Sequence, residues 1–296
     1  MMNRFLKILL PCLLAAVPSV LGAQSARPDG SLSEEFRSDY ERQVRNVGAA
    51  GVGVETIVNR WLEACPDDPE AYEARFNFLL AKSGSTQIVQ KDRLRYLGQK
   101  PVLTLKDSLG RNVNYFEEVS YDDSLFADAL KAARKAIELS PCELRYRYDM
   151  ISALISYEKE SPDMGAAEIF SLIDEFEAGQ GLRWTLDSEV LESSPDAPDY
   201  RFSQAMGEFC YLFFHLGSDQ GYSYFHDISE RMNEIDPKNP VFLDNMGSYW
   251  QVAERNDRKA ARYYKKALRL DPEDYAARTN LELIQSSRSK QGRGSR

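Results

Sequence analysis

Four short proline-bearing turns divide the chain: Cys65-Pro66-Asp67-Asp68-Pro69-Glu70, Ser140-Pro141-Cys142-Glu143, Asp236-Pro237-Lys238-Asn239-Pro240 and Asp271-Pro272-Glu273-Asp274. Each follows one amphipathic run and precedes another. Proline ends the earlier helix, because it lacks an N–H and clashes with the preceding turn, yet it is tolerated in the first turn of the next. The acids that follow face the positive end of the new helix dipole. A chain punctuated in this way is expected to be all-α, with consecutive helices doubling back on one another.

The apolar spacing between the turns is helical. Ala129, Ala133 and Ala136 form one stripe of a helix expected over 122–139, and Ala260, Tyr264, Ala267 and Leu268 do the same over 257–270. Small residues at these positions let a neighbouring helix approach closely. Leu243, Met246, Gly247 and Trp250 mark the buried face of a helix over 240–254. Gly247 in a helix interior costs about 1 kcal/mol relative to Ala, which points to a contact that leaves no room for a side chain. Asn256-Asp257 supplies a turn and a cap for the helix after it. Further helices are expected over 54–64, 69–82 and 219–235.

Leu243, Met246, Gly247, Trp250, Ala260, Tyr264, Ala267 and Pro272 resemble the tetratricopeptide repeat pattern of paired antiparallel helices, with one extra residue in the turn between them. The match is best over 240–272. Ala129, Ala133, Ala136 and Pro141 look like the second helix of such a repeat, and Met206-Gly207 like the core of a first helix. The segment 54–64, with Trp61 before Pro66, is a poorer match. The resemblance implies a right-handed α-solenoid over residues 54–287. It also implies that the first helix of each pair lines a concave side. That lining would be Glu73, Asn77, Tyr148, Ser152, Gln204, Glu208, Asp244, Asn245 and Ser248, extended by Thr279 and Asn280. The Lys and Arg clamp with which some relatives grip a terminal carboxylate is not evident there. The implied function is non-catalytic binding of a polypeptide that is extended, polar and neutral to basic.

Other segments frame this array. Residues 1–23 hold Arg4 and Lys7 and no acid, then an apolar stretch broken by Pro11 and Pro18, then Gly22 and Ala23. That is the layout of a secretory signal peptide, and it places the protein in the periplasm or outside the cell. Its removal takes the formal net charge from −9 to −11. No later apolar run is long enough to span a bilayer. Residues 24–53 read as an N-terminal entry segment. An insertion at 83–120 carries Val102-Leu103-Thr104-Leu105 and Val113-Asn114-Tyr115-Phe116 around a Gly-containing turn, the pattern of a β-hairpin, with an ordered loop as the alternative. A second insertion at 179–197 reads as a loop, with Trp184 packed back on the helices. A last helix from Glu273 to Ser286 is expected to cover the end of the array, and the basic residues 288–296 to form a disordered tail. Cys65 and Cys142 sit at successive turns, too far apart to bridge, and Cys210 reads as a buried thiol.

Reaction chemistry finds little support. An acidic chain lacks the concentrated Lys and Arg that phosphate contacts need, so no nucleic acid is expected as partner. His215 and His226 have no third ligand for zinc, and Gly48-Ala49-Ala50-Gly51-Val52-Gly53 lacks the lysine of a phosphate-binding loop. No nucleophile elbow occurs. No cofactor, metal or catalytic residue is therefore assigned. The alternative to protein binding is a small-molecule or glycan binder that uses Tyr222-Ser223-Tyr224-Phe225 as a pocket wall. N-terminal sequencing of the exported protein is expected to begin at Ala23 or Gln24; a chain that still begins at Met1 removes the export assignment.

Overall fold

The computed structural model describes residues 30–179, 182–194 and 197–294. The signal peptide expected at 1–23 lies outside the described residues. Among the described residues there are eleven helices and five short strands. The chain divides into two compact units: one runs to Glu158 and includes Gly181–Leu191, and the other comprises Lys159–Gln180 and Glu192–Arg296. No helix among the described residues is long and apolar enough to cross a membrane.

The first unit begins with α1 (Gly30–Val47) and α2 (Val54–Ala64), followed by α3 (Pro69–Ser83). Helix α1 corrects the entry-segment reading. Phe36, Tyr40 and Val44, four residues apart on one face, pack against the core that holds Trp61, and the Phe36 and Trp61 rings stack at 6.3 Å. The expected corner follows. The carboxylate of Asp68 accepts from Glu70 N at 3.0 Å and so caps α3, with Pro69 in the first turn. It also accepts from Trp61 Nε1 on α2 at 2.9 Å and from Ser33 Oγ on α1. One side chain thus fixes three helices.

The insertion grows out of the α3 hairpin. Strand β1 (Gly84–Lys91) continues α3 directly; β2 (Leu103–Lys106) and β3 (Asn112–Tyr121) form the expected hairpin, and β3 leads through Asp122 into α4 (Asp123–Leu139). The sheet order is β1-β3-β2, all antiparallel, with Gly84 opposite Tyr121 and Leu105 opposite Val113. The third strand corrects the two-stranded expectation: Thr86, Ile88 and Val89 are good strand formers, but the Gln and Ser between them blur the alternation. At the β2–β3 turn, Asp107 Oδ1 accepts from Leu109 N and Arg111 N, both at 2.9 Å. Ala129, Ala133 and Ala136 are fully buried on α4, as the stripe requires.

Helix α5 (Leu144–Glu158) follows, and the second insertion, later in the chain, docks on Glu143 just before it. That segment is a small hairpin rather than a loop: β4 (Thr185–Leu186) pairs with β5 (Glu189–Val190). Asp187 and Ser188 both have positive φ, the backbone of a tight two-residue hairpin turn. The buried Glu143 carboxylate anchors it, accepting from Asp187 N, Ser188 N and Thr185 Oγ1, each at 2.9 Å. Trp184 is buried, with the Arg147 guanidinium 6.0 Å from its ring centre. Cys65 and Cys142 do not bridge.

The second unit holds α6 (Asp163–Ala178), α7 (Tyr200–Leu216), α8 (Asp219–Ile235), α9 (Pro240–Val252), α10 (Asp257–Leu270) and α11 (Tyr275–Gly294). Its corner resembles the first, with the two roles of Asp68 divided between Asp236 and Asn239. Ser203 Oγ on α7 donates to Asp236 Oδ2 at 2.6 Å, Asn239 Nδ2 donates to the same oxygen at 3.0 Å, and Asn239 Oδ1 caps α9 by accepting from Val241 N at 3.1 Å. Ser33 precedes Asp68 by 35 residues, and Ser203 precedes Asp236 by 33. Asn256 caps α10 by accepting from Lys259 N at 3.0 Å. The tail expectation is corrected in part, since α11 carries helical backbone through residues 288–294; Arg, Lys and Gln are good helix formers and simply extend the helix before them.

Gly247 explains its own cost. A Cβ built there would lie 2.5 Å from Cε1 of Tyr264, whose ring fills the space between α9 and α10. The Tyr264 hydroxyl then donates to Gln251 Oε1 at 2.7 Å. Gly247→Ala should therefore destabilise the protein by about 1–2 kcal/mol in denaturant unfolding, overpacking outweighing the gain in helix propensity. A stabilised variant would mean that the Tyr264 ring is free to move aside.

Candidate functional site

The residues expected to line one face separate into buried and exposed sets, and each unit has to be read by itself. In the first unit, Glu73, Tyr148 and Ser152 are buried and Asn77 is half-buried. The first three are not solvent-facing lining positions; the helix face that carries them is used for packing. In the second unit Asp244 is buried as well, while Gln204 is exposed and Glu208, Asn245 and Ser248 are half-buried.

The buried acids of the first unit belong to a polar cluster on α1, α3 and α5. Glu70 and Glu73 lie three apart on one face of α3, and Arg145 and Asp149 lie four apart on α5. Arg145 pairs with Glu70, Tyr146 OH donates to Glu70 Oε1 at 2.5 Å, and Arg37 from α1 approaches Glu70 Oε2 at 3.7 Å. Arg145 Nε also lies 3.4 Å from Asp187 in the β4–β5 turn. Burial pushes the Glu70 carboxyl up, but Arg145, Arg37 and the Tyr146 hydroxyl outweigh it and hold the group below its usual value. Glu73 is the opposite case. It is 2% exposed and accepts from Asn77 Nδ2 at 3.0 Å. Burial, and then Asp149 beside it, raise its carboxyl well above the usual range, with Arg145 opposing. Asp149 on α5 is likewise a carboxyl that burial raises. Glu70, Arg145 and Asp149 were not singled out from sequence, although the i, i+3 acids on one helix and the i, i+4 Arg–Asp pair on another were there to be read.

Asp244 on α9 has a similar partner. Asp274 caps α11, accepting from Ala277 N at 3.1 Å. Burial, and then the hydrogen bond and charge of Asp274, push the Asp244 carboxyl up to about 8. The Cys210 thiol lies 3.4 Å from Ser229 Oγ, and burial pushes it up to about 12. Ser248 Oγ lies 3.3 Å from Tyr264 OH.

What stays accessible in this unit is a ledge on α7 and α9. Tyr200, Gln204, Glu208 and Tyr211 follow helical spacing along α7; Tyr200 is 73% and Tyr211 50% exposed. Val241, Asn245, Ser248 and Val252 do the same along α9, with Val241 and Val252 exposed. The helices meet where Gly207 leaves room for Val241, a Cβ there lying 3.8 Å from Val241 Cγ1. Gln204 Nε2 donates to Glu208 Oε1 at 3.2 Å, and burial raises the Glu208 carboxyl. The run Tyr222-Ser223-Tyr224-Phe225 does not form a free wall: Phe225 is buried, Tyr222 and Phe225 pack on Phe214, and Tyr224 OH donates to Asp163 at 2.6 Å. His215 Nδ1 lies 2.8 Å from Tyr211 O, and His226 lies beside Asp227 at 3.1 Å. Among the described residues no group of three His, Cys, Asp or Glu is placed to hold a metal ion.

No protein-family model and no curated protein matches the chain. Among solved structures, a crystal structure of MamA protein is 13% identical, covering 82% of this chain and 94% of its own, with a TM-score of 0.39. MamA from residue 41 to its end, from Desulfovibrio magneticus RS-1, is 12% identical, covering 83% and 98%, with a TM-score of 0.41.

The two raised carboxyls set a pH dependence. A carboxyl raised on folding stabilises the native state below its unfolded pKa, and that stability is lost as pH rises through the folded value. For Asp244 the window runs from its ordinary 3.8 to about 8; for Glu73 it opens at 4.5 and extends upward. Glu73→Gln and Asp244→Asn each supply an amide that donates where the acid proton did, without a charge to desolvate. Each is expected to raise Tm at pH 8 by roughly 2–4 °C, about 1 kcal/mol, and to flatten the decline of stability above pH 4.5. Lower Tm for both variants at pH 8 would show that the acids are held ionised.

Proposed function

We propose that this chain is an exported, non-catalytic scaffold whose helix pairs follow the tetratricopeptide pattern and stack as a right-handed α-solenoid. On this reading it binds an extended polypeptide through the first helices of its pairs. The observation that carries the reading is the α7–α9 ledge, where Tyr200 and Tyr211 stand exposed on either side of Gln204 and Glu208. Exposed tyrosines with adjacent polar groups are what binding hot spots are made of, because a rigid ring supplies contact area at small entropic cost and a hydroxyl satisfies one hydrogen bond. The recurrence of the Ser–Asp corner in both units at about one repeat length supports the repeat reading. Glu208 gives the ledge its acidic character, so the partner segment is polar and neutral to basic. Asn245 and Ser248 remain ledge residues in this proposal, and Asn77 is the accessible candidate on α3. Glu73, Tyr148, Ser152 and Asp244 are buried and act by packing the helices of their own units.

Affinity capture from the native envelope, followed by binding measurements with the recovered partner, tests this. Tyr200→Ala and Tyr211→Ala are each expected to weaken binding roughly tenfold or more with Tm unchanged, and Glu208→Lys to weaken a basic partner further. A partner that binds all three variants as it binds the parent protein contacts some other surface.

A further inference from the structure

Charge is spread unevenly along this acidic chain. From Asp257 to Arg296 there are eleven Lys and Arg against five Asp and Glu, so these forty residues carry +6 in a chain of net −9. Helix α10 alone holds six basic residues and one acid. The helix is two-sided. Ala260, Tyr264 and Ala267 are buried in the core shared with α9 and α11. Arg258, Arg262, Lys265, Lys266 and Arg269 are all exposed. Offsets of 4, 7 and 11 place Arg258, Arg262, Lys265 and Arg269 in one row about 16 Å long. None of the five forms an ion pair with another described residue.

The nearby acids are committed elsewhere. Asp271 accepts from Glu273 N at 2.9 Å, Asp274 caps α11 and faces Asp244, and Glu273 lies 3.5 Å from Arg278. Asp257 sits in the first turn of α10, at its positive end. The row also opposes its own helix, since Arg258–Arg262, Arg262–Lys266 and Lys265–Arg269 are like-charge pairs four apart, each destabilising by about 0.2–0.5 kcal/mol. An uncompensated basic row of this kind is complementary to a polyanion outside the fold.

We propose that α10 docks the protein peripherally on an anionic lipid bilayer. The row lies along one exposed face of a regular helix, so it offers hydrated charges in a line that a planar surface can meet. At the α10–α11 corner, Leu270 is exposed and Tyr275 is 79% exposed; an aliphatic group and an amphipathic ring there suit the headgroup level of a membrane. The sequence beyond continues the charge with Arg288, Lys290, Arg293 and Arg296. The attraction is electrostatic and adds up over the row, while the acidic remainder of the chain is repelled, so the docked orientation is fixed by charge.

Cosedimentation with vesicles tests this, using the protein as the cell processes it. Binding is expected to phosphatidylglycerol mixed into phosphatidylcholine, with little binding to phosphatidylcholine alone, and it should be lost in high salt. Replacing Arg262, Lys265 and Arg269 together by Glu should weaken it by roughly 100-fold with helicity and Tm preserved. The corresponding triple Gln variant should weaken it less, and it keeps the test valid if charge reversal perturbs folding. Equal binding to both vesicle types, or vesicle binding that the triple Gln substitution leaves unchanged, overturns the proposal. Tighter binding at the same salt to duplex DNA or to polyglutamate than to the anionic vesicles overturns it as well, and assigns the row to that polyanion.

Discussion

The corner hydrogen bonds of Asp68 and Asp236 are the constraint on which the helical packing depends. In each unit a serine on one helix reaches a carboxylate at the end of the next, and the same corner caps the helix after that. Proline at the corner removes the option of continuing the helix, and the cap satisfies N–H groups that would otherwise be lost to burial. The small-residue stripes of α4 and α10 are fully buried against their neighbours. The ring of Tyr264 over Gly247 shows how closely the helices then approach.

The same closeness decides which polar groups remain available to other molecules. Acids that helical spacing places on the first helices of the pairs become buried where the next helix covers them, and each then takes one of two forms. Glu70 keeps its charge because Arg145, Arg37 and the Tyr146 hydroxyl surround it. Glu73 and Asp244, each beside a second carboxyl, are raised instead. Both forms hold one helix against another. The groups left on the surface are tyrosines and short polar side chains on the ledge and, on α10, a row of bare cations.

Much of the architecture was legible in the sequence, because helices here are delimited by proline, capped by Asp or Asn and patterned by alanine. Those are local signals, and α2, α3, α4, α8, α9 and α10 follow them closely. Helix α1 was missed although Phe36, Tyr40 and Val44 carry helical spacing; without a corner motif before it, the segment read as a lead-in. Strand β1 was missed because its Gln and Ser residues are indifferent to strand formation and its partner lies some thirty residues away. The small β4–β5 hairpin depends on Glu143, more than forty residues earlier in the chain, and no local pattern announces it.

The site was less legible than the fold. Sequence by itself determined that this is a chain of helix pairs with a β insertion, that Gly247 marks a tight contact, and that basic residues gather at its end, since periodicity, backbone geometry and charge are properties of neighbouring residues. Only the tertiary structure decided that Glu73, Tyr148, Ser152 and Asp244 are interior while Tyr200 and Tyr211 are exterior. Whether a polar side chain on a helix meets solvent depends on the next helix and on how near it comes, and that distance is fixed by contacts between residues far apart in the chain.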